Sequence, residues 1–179
     1  LDKIDLANWL DMHPVDALVD FSGPEAVRLY GEELRRRRLM LVTAISAYSD
    51  ADLAYIQSLG EDARVMSCPN ITLGINFLIL AARLLREIAP HADIAILEEH
   101  FRDKPEVSGT ARKIAESLEL DDANITSLRL GGIVGHHEVV FGFPYQTVRL
   151  SHDSIRREAF GTGAAFALRE LAARTEPGY

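Results

Sequence analysis

Short apolar runs alternate with longer segments of helical periodicity through the first half of the chain. Each apolar run has the length of a buried strand and is flanked by turn-forming residues. Strand and helix in alternation are typical of a parallel sheet covered by helices. The predicted strands are 15–21, 39–45 and 63–67, and the predicted helices are 5–12, 24–36, 50–59 (capped by Asp50 or Asp52) and 72–89. Three strand–helix units cannot complete a six-stranded dinucleotide-binding sheet. The sequence therefore predicts a partial, Rossmann-like parallel sheet.

The pattern changes after Pro90, because several strands then follow one another with few helices between them. This order is typical of an α+β module with a mixed or antiparallel sheet. Phe143-Pro144-Tyr145 predicts a hairpin turn between the last two strands. The predicted strands are 93–99, 125–130, 133–143 and 146–152, with helices at 108–118 and 155–174. We thus expect an α/β domain over 1–90, an α+β substrate and oligomerisation domain over 91–154, and a C-terminal helix over 155–179 that packs back on the first domain.

Net charge, cysteine content and the length of apolar runs limit the partners and the cellular location that this chain can have. The 179 residues carry a net charge of −8, which argues against nucleic acid or an anionic membrane as the main partner. The single cysteine, Cys68, excludes an internal disulfide and is compatible with the cytoplasm. No apolar run reaches the roughly 18 residues that a membrane span needs. Because the sequence begins with Leu1 rather than Met, we expect an alternative start codon or an upstream portion.

The segment 98–111, EEHFRDKPEVSGTA, concentrates the polar groups that chemistry requires. His100 titrates near neutrality and can relay protons. Lys104 supplies a compact positive charge, and Ser108-Gly109-Thr110 opens a helix whose free N–H groups favour anions. An imidazole, an ammonium group and a helix N-terminus suit a small dianionic substrate.

Each of these residues also has a purely structural interpretation. Ser108 is a good helix N-cap, a loop lysine such as Lys104 is often only a surface charge, and His100 could be a hydrogen-bonded structural histidine. The set as a whole, rather than any one spacing, favours a binding site.

Three further patterns have weaker functional interpretations. His100 with Glu98, or His136 and His137 with His152, could suggest a metal site, but no zinc-type spacing is present and neighbouring strand residues point to opposite faces. The arginines at 35–38 could clamp a nucleotide 2′-phosphate, although cations are favourable at any helix C-terminus. Cys68 has no activating base nearby in sequence. We therefore predict no metal site.

The sequence resembles the dihydrodipicolinate reductase family. The family's loop motif runs Glu-x-His-His-x-x-Lys, a few residues, then Ser-Gly-Thr-Ala, and the segment 98–111 fits it. Gly132-Ile133-Val134-Gly135 followed by His137 also matches, as do VDFSGPEAV and the Pro69-Asn70 loop before a long helix. The remaining matches are His152, Arg157, Phe160 and Gly163. The resemblance covers nearly the whole chain from about residue 15.

The resemblance implies an N-terminal dinucleotide-binding domain, an inserted α+β substrate and tetramerisation domain, and a cytoplasmic homotetramer. It implies hydride transfer from NADPH or NADH to an unsaturated cyclic dicarboxylate in lysine and diaminopimelate biosynthesis. His100 would be the acid/base and Lys104 the proton donor. Substrate-binding positions would be Phe101, Ser108, Gly109 and Thr110, and cofactor-binding positions Thr43, Ile45, Pro69 and Asn70.

The sequence departs from the family pattern in four places. The family's glycine-rich phosphate turn, Gly-x-x-Gly-Arg-Met-Gly, is not found in these 179 residues, and Thr43-Ala44-Ile45-Ser46 stands where the family has Gly-Thr-Thr-Gly. Phe101 replaces the second histidine, and the spacing from Lys104 to Ser108 is one residue shorter than in the common bacterial form, as in plant-type members.

The first two departures bear on nucleotide binding, because the turn supplies N–H donors and a helix dipole to the pyrophosphate. Two alternatives to a reductase therefore stay open. One is a paralogue without nucleotide binding that performs non-redox acid/base chemistry, as an isomerase, dehydratase or cyclase. The other is a non-catalytic oligomeric module.

Overall fold

The computed structural model describes residues 5–179 of the chain. The helices are α1 Leu6–Met12, α2 Ala26–Arg37, α3 Asp50–Leu59, α4 Leu73–Ile88, α5 Gly109–Ser117 and α6 Glu158–Ala173. The strands are β1 Ala17–Asp20, β2 Met40–Thr43, β3 Val65–Ser67, β4 Asp93–His100, β5 Ile125–Arg129, β6 His136–Phe143 and β7 Gln146–Asp153. Every helix and strand predicted from the sequence is present. Each observed end lies within three residues of the predicted one.

The chain divides into two compact units. The first unit contains the chain up to Ile71 together with Thr162–Tyr179, and the second unit contains Thr72–Gly161. The sequence placed 72–90 in the first domain, whereas the structure places α4 in the second unit. The reason is packing, since the buried side chains Leu78 and Ala82 of α4 join the same core as Ile96 and Val139 of the second sheet.

A three-stranded parallel sheet organises the first unit, in the order β1-β2-β3. Val42, at the centre of β2, is fully buried. Ala164, Ala167 and Leu171 of α6 pack beside Val42 in one apolar cluster. The C-terminal helix thus completes the core of the first unit.

A four-stranded mixed sheet organises the second unit, in the order β5-β4-β6-β7. Strands β4 and β5 run parallel, while β6 pairs antiparallel with both β4 and β7. The predicted hairpin between β6 and β7 is confirmed, with Tyr145 in the left-handed region at φ 66°. An α/β fold with a partial parallel sheet and a mixed sheet is therefore confirmed.

The cap of α3 differs from the prediction. The hydroxyl of Ser49 accepts the N–H of Asp52 at 3.2 Å, so Ser49 is the N-cap, and Asp50 and Asp52 lie in the first turn. These carboxylates still favour the helix through its dipole. Within residues 5–179, none of the helices combines the length and apolarity that a bilayer crossing requires.

Close packing of α6 in the first unit requires glycine at position 163. A Cβ built there would lie 2.1 Å from the carbonyl oxygen of Ile71, which is a backbone atom that cannot turn aside. We expect Gly163→Ala to lower the free energy of unfolding by about 1–3 kcal/mol, since overpacking of this kind forces backbone shifts. Urea denaturation followed by circular dichroism measures the change.

The matched control is Gly161→Ala, in the same helix, where an added Cβ meets nothing within 4 Å. Alanine is favoured over glycine in helices by roughly 1 kcal/mol, so this variant should be unchanged or more stable. Equal stability of the two variants would contradict the packing argument.

Candidate active site

The buried face of strand β4 is apolar in its first half and polar in its second half. Ile94, Ile96, Glu98 and His100 alternate with outward residues, and all four are buried. The first two belong to the apolar core of the second unit, whereas the last two place a carboxylate and an imidazole at the end of the strand. The pleat of a strand therefore turns a two-residue spacing into a side-by-side polar pair.

Glu98 is the centre of a buried hydrogen-bond network. Its Oε1 accepts the Ser127 hydroxyl at 2.6 Å, the Arg129 guanidinium at 2.7 Å and the Ser108 N–H at 3.2 Å. Its Oε2 accepts a second Arg129 N–H at 2.9 Å and lies 2.5 Å from His100 Nδ1. Burial opposes ionisation, but the hydrogen bonds from Arg129, Ser127, His100 and Ser108 outweigh it and hold the Glu98 pKa at about 2. Glu98 is thus a carboxylate at neutral pH.

This charge state fixes the tautomer of His100. An ionised carboxylate can only accept hydrogen bonds, so the neutral imidazole carries its proton on Nδ1 and keeps its lone pair on Nε2. Burial lowers the pKa of His100, Glu98 raises it, and the positive charges of Lys104 and Arg129 lower it. A Cβ at position 135 would lie 3.2 Å from Nε2, so Gly135 leaves room at this nitrogen.

Arg129 joins the carboxylate to the loop that follows β4. Its Nε donates to the carbonyl of Lys104 at 3.0 Å, and one terminal nitrogen donates to the carbonyl of Glu106 at 2.8 Å. The parallel pairing of β4 with β5 sets His100 opposite Arg129, which places the guanidinium beside the loop. Lys104 is half-buried, and Phe101 at the loop's start is exposed.

The start of α5 shows Ser108 as a helix cap. Its hydroxyl accepts the N–H of Ala111 at 3.4 Å and shares a hydrogen bond of 2.8 Å with His137 Nε2. Ser108 is buried, whereas Gly109 is exposed and Thr110 half-buried. The structural interpretation of Ser108 is therefore supported, while the exposed start of the helix still offers backbone N–H groups to an anion.

His137 is a buried neutral histidine beside the pair. Its ring meets that of His100 edge to face, with centroids 5.2 Å apart, and Nδ1 has no hydrogen-bond partner among the described residues. Burial, followed by the nearby charge of His100, lowers its pKa to about 3. Among residues 5–179 no cluster of three or more histidine, cysteine or acidic side chains could hold a metal ion.

The predicted cofactor positions lie at the carboxyl ends of strands in the first unit. Thr43, at the end of β2, is fully buried, and its hydroxyl lies 2.7 Å from that of Tyr48. The Ile45 side chain is also buried, while Pro69 is exposed and Asn70 is half-buried. Thr43 and Ile45 thus use their side chains within the unit itself.

Sequence reasoning missed a buried tyrosine–aspartate pair at the carboxyl edge of the parallel sheet. The Tyr30 hydroxyl donates to Asp20 at 2.7 Å, and both residues are buried. Burial and the adjacent carboxylate raise the pKa of Tyr30, and burial raises that of the Cys68 thiol. Asp20 lies at the end of β1, where a buried acid in an apolar strand was the available signal.

Sequence reasoning also missed Arg129. It lies outside the 98–111 segment, and its role depends on strand register. The other two residues noted from the sequence are peripheral: His152 is half-buried against Gly74 in α4, and Arg157 is exposed.

Together these features define an α/β protein with a carboxylate–imidazole–guanidinium site at the end of a mixed sheet. A family model described as "Dihydrodipicolinate reductase, C-terminus" matches residues 71–179. The chain belongs to the dihydrodipicolinate reductase family.

Curated relatives agree with this assignment. A 4-hydroxy-tetrahydrodipicolinate reductase from Laribacter hongkongensis is 32% identical over 187 residues, covering 89% of this chain and 69% of the relative. One from Caldanaerobacter subterraneus is 29% identical, covering 87% of this chain and 71% of the relative. The fold is similar to that of a solved dipicolinate-bound dihydrodipicolinate reductase from Paenisporosarcina, with a TM-score of 0.82, 23% identity and coverage of 97% of this chain and 75% of that one.

The depressed pKa of His137 predicts a pH dependence of stability. In the unfolded chain a histidine takes up a proton near pH 6.5, whereas folded His137 does so only near pH 3. Between these values the unfolded state holds one more proton, so stability should fall as pH decreases through this window. Each such proton contributes a slope of up to about 1.4 kcal/mol per pH unit.

Urea denaturation at several pH values measures that slope. We expect His137→Gln to flatten it between pH 6.5 and 3, and His91→Gln, at an exposed surface position, serves as the control for loss of a histidine. An identical slope in wild type and His137→Gln would contradict the assignment.

The hydrogen bonds from Arg129 to the carbonyls of Lys104 and Glu106 predict that Arg129 holds the loop 101–107 in place. Arg129→Lys keeps the charge opposite Glu98, but an ammonium cannot reach two carboxylate oxygens and two carbonyls at once. Amide hydrogen exchange at residues 101–107 should therefore become faster by about 10-fold or more, as expected for the loss of hydrogen bonds to a charged group. Arg149→Lys, at an exposed pair with Glu138 in the same sheet, is the control. Unchanged exchange in Arg129→Lys would show that Arg129 does not hold the loop.

Proposed function

We propose that the second unit binds a small cyclic dicarboxylate and moves protons on it, as the substrate-binding part of an NAD(P)H-dependent reductase of lysine and diaminopimelate biosynthesis. The observation that carries the proposal is the pairing of His100 with ionised Glu98. This pairing leaves Nε2 as the basic nitrogen, at a histidine whose pKa is also sensitive to Lys104.

Substrate binding would rest on local positive charge. The chain carries a net charge of −8, so a dianion needs specific cationic partners. Lys104 provides one, and the exposed backbone at Gly109, at the start of α5, provides N–H donors for a second carboxylate. In this proposal Phe101 and Thr110 border the bound ring, and Ser108 contributes by fixing the start of the helix.

Proton transfer would use His100, at the end of β4, and Lys104, in the loop that follows it. In this proposal His100 exchanges a proton through Nε2 while Glu98 holds the ring and stabilises its charged form. Lys104 delivers a proton from its ammonium group. Arg129 is a positioning residue, since it reaches the substrate only through Glu98 and the loop carbonyls.

In the family a nicotinamide cofactor supplies the hydride. Thr43 and Ile45 offer no exposed side chain at the edge of the parallel sheet, and the Thr43 hydroxyl is already paired with Tyr48. The described residues thus do not fit a nicotinamide ring through these side chains, leaving Pro69 and Asn70 as the accessible positions. The proposal therefore assigns substrate binding and proton transfer, but not hydride transfer, to the described residues.

Assembly and location are part of the same proposal. We propose a cytoplasmic homotetramer that uses the sheet of the second unit, as the family resemblance implies. The two alternatives, a non-redox acid/base enzyme and a non-catalytic module, are less well supported, because the curated relatives named above are reductases.

The proposal predicts binding of pyridine-2,6-dicarboxylate by the chain as it stands. Lys104→Ala should weaken this binding by about 10- to 100-fold, since a hydrogen bond to a charged group contributes roughly 1.5–3 kcal/mol. Isothermal titration calorimetry measures both dissociation constants. Lys113→Ala is the control, because Lys113 is an exposed lysine of α5 that pairs with Glu116.

Titration with NADPH forms the second arm of this experiment, and we expect little or no binding. Tight NADPH binding would contradict the argument from Thr43 and Ile45 without affecting the dicarboxylate site. No dicarboxylate binding, or equal binding by wild type and Lys104→Ala, would overturn the proposed function.

A further inference from the structure

Helix α4 presents an apolar surface that the fold does not use. Its inner face packs into the core of the second unit through Leu78 and Ala82. Its outer face carries five large apolar side chains that are 50–72% exposed, which we call the α4 stripe: Leu73, Phe77, Leu80, Leu84 and Ile88. Their spacings of four, three, four and four residues place them on one side of the helix.

The area of the stripe matches that of an interface. If a large apolar side chain exposes roughly 200 Å² when free, the stripe presents about 600 Å² per chain. This value is at the upper limit of the apolar patches that monomers expose, about 300–600 Å². Two such stripes would together bury about 1,200 Å², which reaches the lower end of stable interfaces, about 1,200–2,000 Å².

The order of side chains in the stripe is self-complementary. When two copies of α4 run antiparallel about a two-fold axis between positions 80 and 81, Leu73 lies opposite Ile88 of the second copy and Phe77 opposite Leu84. Leu80 then meets Leu80 of the second copy beside the small side chain of Ala81. The stripe extends over 16 residues, about 24 Å of helix, so these pairs form one continuous seam.

Charge also favours this arrangement. The first turn of α4 has no acidic residue, so its helix dipole is unopposed there. In the antiparallel pair Glu87 of one copy lies level with Gly74 of the other, beside that first turn. A carboxylate near a helix N-terminus is favourable, and the two helix dipoles oppose each other.

We propose that the α4 stripe is an interface between two copies of this chain, paired antiparallel through α4. This contact is separate from the proposed pairing through the sheet, because α4 packs on the sheet with its other face. Loss of the α4 contact therefore leaves pairing through the sheet in place.

Oligomer mass in solution tests the proposal. We measure the full chain by sedimentation equilibrium across a dilution series, and expect Leu80→Glu to lower the average mass of the oligomer at each concentration. The dissociation constant of the α4 contact should rise by about 100-fold or more, because two buried leucines become two facing carboxylates. Leu29→Glu in α2, another half-exposed leucine, is the control and should leave the mass unchanged.

Directed cross-linking tests the geometry independently of any change in stability. In a Cys68→Ser background, Leu80→Cys should form an intermolecular disulfide under mild oxidation. A mixture of Phe77→Cys and Leu84→Cys chains should cross-link between the two variants far more than either does alone.

Four outcomes would overturn the proposal. These are a wild-type mass equal to that of Leu80→Glu, an equal loss of mass in Leu29→Glu, no cross-link at position 80, and a stripe that binds lipid vesicles while the chain stays monomeric.

Discussion

The charge of one buried carboxylate organises the second unit. Removing an ionised Glu98 from water without a partner would cost several kcal/mol, so its burial depends on Arg129 and on three further hydrogen-bond donors. The four donors come from three parts of the unit: Arg129 and Ser127 from β5, Ser108 from the start of α5, and His100 from β4 itself. The geometry of the site therefore follows from the need to satisfy this carboxylate.

The same carboxylate determines what His100 can do. A neutral partner could either donate or accept, and either ring nitrogen could then carry the proton. Because Glu98 stays ionised, only Nδ1 can carry it in the neutral ring, and the basic nitrogen is Nε2. Arg129 thus influences the chemistry at His100 indirectly, since its guanidinium makes the largest contribution to the low pKa of Glu98.

Local patterns in the sequence predicted most of the fold, because strand and helix follow from residue periodicity and punctuation. They also placed His100, Lys104 and the start of α5 in one segment. They could not predict Arg129, because its position opposite His100 results from the pairing of β4 with β5, which lie 25 or more residues apart. The unit to which α4 belongs was missed for a related reason, since apolar periodicity shows that a helix packs but not which sheet it packs on. The interpretation of Thr43 and Ile45 required burial, which spacing does not give.

The apolar residues of helix α4 form two different surfaces, one inside the core and one on the outside of the unit. A helix that is apolar on most sides is ordinarily buried on most sides. The sequence of α4 is apolar on most sides, so it predicts such a buried helix. Its inner residues lie in the core, yet five of its largest side chains face outward. Charged residues make up 26% of the chain, so a continuous outward apolar seam on one of its two longest helices requires an explanation other than composition. The inner face is fixed by the sheet that carries the Glu98 network, while the outer face is not constrained by that core. Contact between copies can therefore change without disturbing the chemistry at the end of β4.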